Sequence, residues 1–478
     1  MKRYVAVTIG PIGDTMALAV SPVSLWASSY LFSYLAKTLC RVLTEQGIAE
    51  SDIITPYYRH DEPLLCRKDG VGLFHDRIVF ELRDFDMARF ETVRRIAVAE
   101  TAAAFDLDAN YLLEYLRVEA AVFEADNPVA GGNILLDSFE LARPFVTEEA
   151  HNPFEVLFGG SNTSRNTHLR RTAAVRELEN FQLLGDGGRF KPLNEIVATG
   201  SGAARYNYYA VVRADGDGMH RVVEQLTDDD AIRRFSHTCL EYCAAIAELV
   251  ARYDGITIYS SGDDLLAILP SESRAGKTPL HFSQEASLLY DRFFGDYTPR
   301  TTLSFGIALA HHHHALQDTL SRAAELLFSV AKRGDKNRLA LDILPHMANT
   351  GLDFECHFVC LNMTVGNLLL LIERMRLPGD KSRVFFGLVP KRLQEKGELF
   401  NGAEDGQLYA VFKNEFSFLE SLLGLSTADL LVDILQQIKH NAEPCALDGT
   451  TEWHDAAVTL YYLLHMCQFF IGKGGDAE

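Results

Sequence analysis

Short apolar runs alternate with amphipathic stretches along most of the chain, and this pattern predicts a mixed α+β protein. A strand-like run at 4–9 precedes an uncharged stretch at 15–36. We interpret that stretch as a buried helix rather than a membrane span, because it contains Pro22 and five serines. Further strand-like runs at 53–56 and 78–82 complete a small α+β domain.

The most regular pattern lies between residues 206 and 342. A strand at 206–214 is followed by a helix at 229–253, whose apolar residues recur at helical spacing and form one face. The predicted elements that follow are a hairpin at 256–270, a helix at 280–294, a strand at 301–310, a helix at 315–333 and a strand at 338–343. Their order contains βαββαβ, the ferredoxin-like arrangement.

Four units follow from these patterns. They are an α+β domain at 1–90, a helical insertion and linker at 91–203, the βαββαβ domain at 204–345 and a helical bundle at 346–478. Both α+β domains open with a strand, a turn and a helix, which indicates a degenerate pair of related units.

Charge and cysteine content narrow the class of protein. The chain has 45 Lys and Arg against 65 Asp and Glu, a formal net charge of −20, which argues against binding nucleic acid alone through a broad basic face. The eight cysteines form no CxxC pair, so we interpret them as reduced thiols of a cytoplasmic protein. We expect no structural zinc, because Cys356, His357 and Cys360 offer too few ligands, and Cys239 and Cys243 lie on an apolar helix face.

Acidic residues end the first strand of the βαββαβ domain and turn its hairpin. Asp215 and Asp217 alternate with glycines, and Asp263 and Asp264 follow Ser261-Gly262. In this fold the strand end and the hairpin tip are neighbours, so these carboxylates should converge. Clustered carboxylates need cations, and hard oxygen ligands suit Mg²⁺ or Mn²⁺. Two such ions are the catalytic ions of two-metal nucleotidyl transfer.

Residues able to bind phosphates accompany the acids. Gly216, Gly218 and Gly262 would let phosphates approach backbone N–H groups, and Lys332 and Lys336, just before the last strand, would neutralise a triphosphate. Each motif is weak alone. Together, at the correct elements of one domain, they predict a nucleotidyl-transferase or cyclase palm.

The segments YAVVRADGDGM, SSGDDLLAILP, LSFGIALAHHH and AELLFSVAKRGDKNRLAL resemble, in order, the second palm domain of the large polymerase-cyclase subunit of type III CRISPR effector complexes, most closely its Cmr branch. The N-terminal GPIGDTMALAVSPVSLWASSYLFSYL resembles that subunit's degenerate first palm. We therefore expect two ferredoxin-like palms, the first lacking the acids and the second catalytic.

The resemblance implies that ATP is converted to cyclic oligoadenylate when a guide RNA pairs with target RNA. Asp215, Asp263 and Asp264 would hold two Mg²⁺ or Mn²⁺ ions. Partner subunits of the ribonucleoprotein would make most contacts with guide and target RNA, and no membrane is involved. The nucleotide-binding residues would be Gly216, Asp217, Gly218, Ser261, Gly262, Lys332 and Lys336.

The sequence departs from the family at three points. Ser261 replaces the first glycine of the usual Gly-Gly-Asp-Asp, which adds a side chain beside the phosphates but keeps both acids. No HD nuclease is expected, since the first palm begins at residue 4 and His60-Asp61 is an isolated dipeptide. The zinc-binding cysteine cluster of many members is missing.

Three alternatives remain at this point. The same palm chemistry could join AMP to S-adenosylmethionine, the acids could be vestigial in a scaffold subunit, or the chain could be a free-standing cyclase related to diguanylate cyclases. We interpret the histidines at 311–314 as a polar strand exit in preference to an adventitious metal site, and we assign them no catalytic role.

Overall fold

The computed structural model describes most of the chain and resolves it into two β-sheets with flanking helices, followed by a helical C-terminal region. The predicted α+β class is confirmed. The described residues are 2–141, 168–185, 188–198, 207–334, 336–344, 356–375, 380–396, 407, 410–411, 414–417, 425–441 and 453–471.

The first sheet has the strand order β2-β3-β1-β4, and all its neighbouring strands are antiparallel. This is the ferredoxin-like order, in which the first strand lies between the third and the fourth. The elements are β1 (Arg3–Gly10), α1 (Ile12–Ala17), α2 (Pro22–Glu45), β2 (Ile53–Thr55), β3 (Arg77–Glu81), α3 (Ala88–Phe105), α4 (Ala109–Tyr115), β4 (Arg117–Glu124) and α5 (Pro128–Leu141).

Strand β4 corrects the prediction that the chain is helical from 91 to 203. It pairs with β1 along its whole length, from Arg3 opposite Glu124 to Gly10 opposite Arg117, so the sheet extends well past the predicted boundary at residue 90. The segment RVEAAVFE contains two alanines and only partial alternation, and it follows the helical run of α4 directly. Its apolar positions fit a helix as well as a strand, and the pairing with β1 decides between them.

Helix α2 forms the centre of the first core. Ser21 caps it, and Trp26 is fully buried, with its indole N–H donating to Gly70 O at 2.6 Å. The stretch at 15–36 is therefore two helices rather than one, with Leu18 and Val20 exposed between them, and from Pro22 onward most of it is buried in its domain. No helix within the described residues combines the length and the apolarity that crossing a bilayer requires.

The second sheet has six strands in the order β10-β9-β8-β5-β7-β6. Four of them, β8-β5-β7-β6, repeat the ferredoxin-like order, and β9 joins β8 in parallel on the other side. Two short helices, α6 (Ala173–Arg176) and α7 (Leu193–Val197), precede it. Its elements are β5 (Tyr208–Asp217), α8 (Met219–Gln225), α9 (Asp229–Arg252), β6 (Ile256–Ser261), β7 (Asp264–Pro270), α10 (Pro279–Phe294), β8 (Thr302–His311), α11 (Leu316–Glu325), a π-helical continuation (Leu326–Ala331) and β9 (Arg338–Ile343).

The described part of the C-terminal region begins with a strand and is otherwise mainly helical. Strand β10 (Cys356–Leu361) pairs with β9, so the predicted helical bundle at 346–478 also contributes a strand to the second sheet. The side chains of Cys356, His357 and Cys360 lie outside what the structure describes. The helices are α12 (Asn362–Met375), α13 (Asp380–Lys396), α14 (Leu425–Asn441) and α15 (Trp453–Ile471). The cysteines described as free thiols are Cys40, Cys66, Cys239, Cys243 and Cys467.

The two sheet domains contact each other directly. Helix α9 packs on β2 and α2 packs on β6. The Tyr57 amide donates to Ser236 Oγ at 2.8 Å, and the Ser260 amide donates to Gly72 O at 3.2 Å. A cleft remains between the domains, and the acidic residues open into it.

Candidate active site at the edge of the second sheet

The end of β5 and the tip of the β6–β7 hairpin are adjacent in the second sheet. The last pair of the β5–β7 ladder is Ala214 with Leu265. Continuing this register by one and two places sets Asp215 opposite Asp264 and Gly216 opposite Asp263. The structure thus brings the predicted acids to one edge. We call Asp215, Asp263 and Asp264, with Lys332 and Lys336, the acid edge.

The β6–β7 hairpin has a two-residue turn. Ser261 pairs with Asp264, which leaves Gly262 and Asp263 as a two-residue turn. Gly262 has φ +65°, a conformation that glycine adopts without strain, and a side chain there would meet no other atom within 4 Å. Ser261 ends the strand before it, so the serine of this motif does not disturb the turn geometry.

Asp263 packs against the backbone of Gly216. A Cβ placed on Gly216 would lie 2.6 Å from the Tyr290 hydroxyl and 2.9 Å from Asp263 Cβ, and closer still to the Asp263 carboxylate. The absence of a side chain at Gly216 therefore makes room for Asp263. Beyond the predicted approach of a phosphate, this contact gives the glycine a steric role.

Both hairpin acids have pKa values raised above the ordinary range. Burial raises the pKa of Asp263 most, and the neighbouring Asp264 raises it further. Burial also raises the pKa of Asp264, while the Arg213 guanidinium opposes that change. Two half-buried carboxylates side by side are costly when ionised, and a bound cation would relieve that cost.

Asp215 has a cationic partner within the chain. Its carboxylate forms an ion pair with Lys332, whose ammonium also donates to Gly216 O at 2.8 Å. Burial, with a contribution from Lys336, lowers the pKa of Lys332 to about 8. Lys336 lines the same cleft and has φ +60°. Both predicted lysines therefore lie beside the acids, although one of them is already paired.

Asp217 has a different position from the one that its predicted role in nucleotide binding requires. Its carboxylate is buried and accepts hydrogen bonds from Thr302 Oγ1 at 2.8 Å, Ser304 Oγ at 2.7 Å and the Asn337 amide at 3.0 Å. Burial raises the pKa of Asp217, and these hydrogen bonds oppose the rise. It is not among the residues that line the cleft. The geometry makes it an anchor for the segment that carries Lys332 and Lys336.

The cleft itself has a volume of about 910 Å³ and is lined by both domains. Gly218, at the start of α8 with φ +77°, also faces it, together with Gly216 and Gly262. The first domain contributes an apolar and polar wall that includes Phe32, Ser33, His75 and Arg77. Burial lowers the pKa of His75 to about 4, so this ring is neutral at pH 7.

The acid edge fits divalent cations. Its donors are carboxylate oxygens, which Mg²⁺ and Mn²⁺ prefer. The pKa values of Asp263 and Asp264 are raised, which indicates that nearby positive groups do not fully compensate the negative charge of the two carboxylates. Asp263, Asp264 and, once Lys332 moves aside, Asp215 would hold the ions.

Sequence reasoning missed three sets of residues: the partners of Asp217, Arg213, and the first-domain wall of the cleft. Thr302, Ser304 and Asn337, which hold Asp217, occur at the predicted strand and in the basic segment, but only the register of β5 and β8 places them around a carboxylate. Arg213, two residues before Asp215 on the same strand, is the one charged residue in the predicted strand 206–214, and this could have identified it. The first-domain wall of the cleft had no local signal.

Comparison with known protein families agrees with this geometry. The chain matches the model of the Cas10/Cmr2 second palm domain over residues 208–340 and that of the N-terminal domain of the CRISPR-associated protein Cmr2 over residues 4–105. The two matched regions are Cas10/Cmr2 domains. The predicted resemblance to the Cmr branch is thereby confirmed, and the acid edge lies within the second palm.

Among curated proteins, the Cmr subunit Cmr2 of the CRISPR system of Pyrococcus furiosus is 28% identical over 163 residues. That match covers 29% of this chain and 18% of the relative, so it spans less than a fifth of the relative's length.

Solved structures of Csm1 share the fold. The Csm1-Csm4 cassette in complex with cA4 superimposes with a TM-score of 0.57 at 12% identity, covering 97% of this chain and 69% of that one. Csm1 of T. onnurineus gives a TM-score of 0.56 at 12% identity with the same coverage.

Proposed function

We propose that this Cas10/Cmr2 chain is the polymerase-cyclase subunit of a type III CRISPR ribonucleoprotein and converts ATP into cyclic oligoadenylate when target RNA pairs with the guide. The observation that carries the proposal is the convergence of Asp215, Asp263 and Asp264 with Lys332 and Lys336 at one edge of a palm, open to a cleft of about 910 Å³. Related Csm1-Csm4 cassettes have been solved with cA4 and with pppApA.

Each part of the acid edge has a task in this reaction. Two Mg²⁺ ions, when bound, would favour deprotonation of an attacking 3′-hydroxyl and stabilise the pyrophosphate that leaves. Asp263 and Asp264 would hold these ions from the hairpin tip, and Asp215 would join them from β5. Lys336, and Lys332 after exchange of its partner, would neutralise the β- and γ-phosphates.

The cleft between the palms suits a reaction between two nucleotides. The acid edge forms one side, and the first palm offers Phe32 and the neutral His75 on the other. An acceptor nucleotide could thus rest on the first palm while the donor triphosphate lies on the acid edge. The first palm itself has Gly10-Pro11 at the corresponding strand end, where the second palm has its acids.

The formal net charge of −20 supports a division of labour within a ribonucleoprotein. We propose that partner subunits carry most of the guide and target RNA in the cytoplasm, while this chain supplies the nucleotidyl-transfer site. A chain acting alone would need a basic face to bind the RNA backbone.

The test uses the chain assembled with its partner subunits, guide RNA and target RNA. Labelled ATP and Mg²⁺ should yield cyclic oligoadenylates by mass spectrometry, and the double variant Asp263→Asn, Asp264→Asn should yield none. Asp296→Asn, which removes an exposed acid outside the cleft, serves as the matched control.

Two outcomes would contradict the proposal. Absence of any product from the activated complex would indicate a scaffold subunit. A product containing S-adenosylmethionine, in a parallel reaction that includes this compound, with no cyclic oligoadenylate would show that the acceptor differs while the acid edge keeps its role.

A further inference from the structure

The end of β8 carries three adjacent histidines, His311, His312 and His313, which we call the histidine turn. Their ring centroids lie 4.5 Å (311 to 312), 5.1 Å (311 to 313) and 4.0 Å (312 to 313) apart. Within the described part of the chain, no other three His, Cys, Asp or Glu side chains bring ligand atoms within 4.8 Å of one another.

We propose that the histidine turn binds a divalent transition-metal ion of the zinc class. Neutral imidazole is a preferred ligand of Zn²⁺, whereas Mg²⁺ prefers oxygen, so this site and the acid edge would select different ions. Ligands about 2.0–2.1 Å from a tetrahedral Zn²⁺ lie a little over 3 Å from each other. The ligand atoms of the three histidines now lie within 4.8 Å of one another, so side-chain rotations that move each atom by about an ångström would complete the site. A metal role here revises both the interpretation of these residues as a polar strand exit and the expectation that the chain has no structural zinc.

The backbone of the turn is fixed before any ion binds. His311 is paired with Tyr208 at the end of the β5–β8 ladder. The His312 amide donates to Asn207 O at 2.9 Å, and the His314 amide donates to His311 O at 2.8 Å. Because the main chain is held on both sides, ligand binding would order mainly the imidazole rotamers.

One side-chain contact would change on binding. The His313 amide donates to His311 Nδ1 at 3.3 Å, a long hydrogen bond that already holds the ring above the turn. Coordination through this nitrogen would exchange the hydrogen bond for a metal bond. The three rings also differ in exposure, from the most buried His311 to the exposed His313, so an ion could enter from the solvent side.

The histidine turn is distant from the acid edge. Asp215 of the acid edge pairs with Ser304 of β8, and His311 lies seven residues further along that strand. At about 3.3 Å per residue the two positions are about 23 Å apart. The proposed ion therefore has no part in nucleotidyl transfer, and the inference does not depend on the proposed function.

The packing around His311 indicates what the ion would do. The His311 ring contacts Tyr208 edge to face at 5.6 Å, and Tyr208 contacts Phe469 of α15 in the same way at 5.2 Å. An ion that fixes His311 would therefore stiffen the contact between the catalytic sheet and the last helix. We infer a stabilising role at the junction of the palm with the C-terminal region.

The experiment titrates Co²⁺ into the metal-stripped full chain in the presence of excess Mg²⁺, which occupies the carboxylate sites. We expect one equivalent of Co²⁺ with visible bands of a nitrogen-ligated ion and no thiolate charge transfer, displaced by Zn²⁺. His312→Asn and His313→Asn should each weaken binding by more than about tenfold, since even loss of an outer-shell partner commonly costs that much.

His314→Asn is the matched control, because it removes a neighbouring histidine that lies outside the cluster. It should retain the affinity to within about twofold, and Zn²⁺ should raise the Tm of this variant and of the wild type but not of His313→Asn. Equal loss in His314→Asn, unchanged binding in His313→Asn, or thiolate charge transfer unaffected by either variant would each overturn the proposal.

Discussion

Replacement of Gly216 by alanine tests whether the acid edge depends on close packing between β5 and the hairpin tip. The new methyl group would lie 2.6 Å from the Tyr290 hydroxyl and 2.9 Å from Asp263 Cβ, where ordinary contacts begin at 3.4 Å. Tyr290 and Asp263 must then retreat by about 0.8 and 0.5 Å, and the Asp263 carboxylate must move further because it is closer. A displacement of about 1 Å in a catalytic group can reduce the rate about hundredfold.

The assay is the rate of cyclic oligoadenylate formation by the activated complex at saturating ATP and Mg²⁺. We expect Gly216→Ala to lower this rate about hundredfold and to destabilise the chain by about 1–3 kcal/mol, the usual cost of overpacking. The second quantity is measured by urea unfolding of the isolated chain, so that a loss of folded protein can be distinguished from a loss of catalysis.

Gly387→Ala is the control substitution. Gly387 lies in α13, and a Cβ there would meet no atom within 4 Å, so alanine should leave the activity unchanged and stabilise the helix by about 0.5–1 kcal/mol. If Gly216→Ala keeps more than about half of the wild-type rate, then Asp263 tolerates displacement and the packing argument is wrong.

Three further predictions concern charge at the acid edge. Because the pKa values of Asp263 and Asp264 are raised in the folded chain, their ionisation opposes folding as pH rises. At pH 8 the double Asn variant should therefore have a free energy of unfolding larger than that of the metal-free wild type by on the order of 1 kcal/mol in urea unfolding, and the difference should shrink at pH 4. Lys332→Gln should raise the KM for ATP. In the wild type, the positive charge that lowers this KM should be lost as pH rises through the Lys332 pKa of about 8, so the two proteins should become similar at high pH. The same pH profile of kcat/KM for both proteins would contradict this. Ser304→Ala removes a hydrogen bond to the buried Asp217 and should cost about 1.5–3 kcal/mol in urea unfolding, whereas Ser287→Ala, whose hydroxyl bonds only a helix carbonyl, should cost less.

The sequence predicted those parts of the site that follow from the order of the secondary-structure elements. Asp215 follows a strand, and Asp263 with Asp264 turns a hairpin, so the order of elements was enough to bring them together. Asp217 required more information. Strand β5 continues through Asp217, opposite Thr302, and only this extra length encloses its carboxylate within the sheet.

The same reason explains the errors in the fold. The sequence of β4 resembles the continuation of a helical run, and β10 is a six-residue segment that leads directly into a helix. Each is specified by a partner strand distant in sequence, β1 and β9 respectively. The wall of the cleft formed by Phe32 and His75 likewise exists only after the two domains pack.

The hydrogen bond from the Ser260 amide to Gly72 O joins the first domain to the strand that leads into the aspartate turn. Asp263 lies three residues from this bond, and the strand between them is a stiff connection. A partner that displaces the first sheet must therefore either break the bond or move the turn with it. The two palms are mechanically coupled beside the aspartate turn, so under the proposed function a partner subunit that binds far from the cleft would have a direct physical route to its geometry.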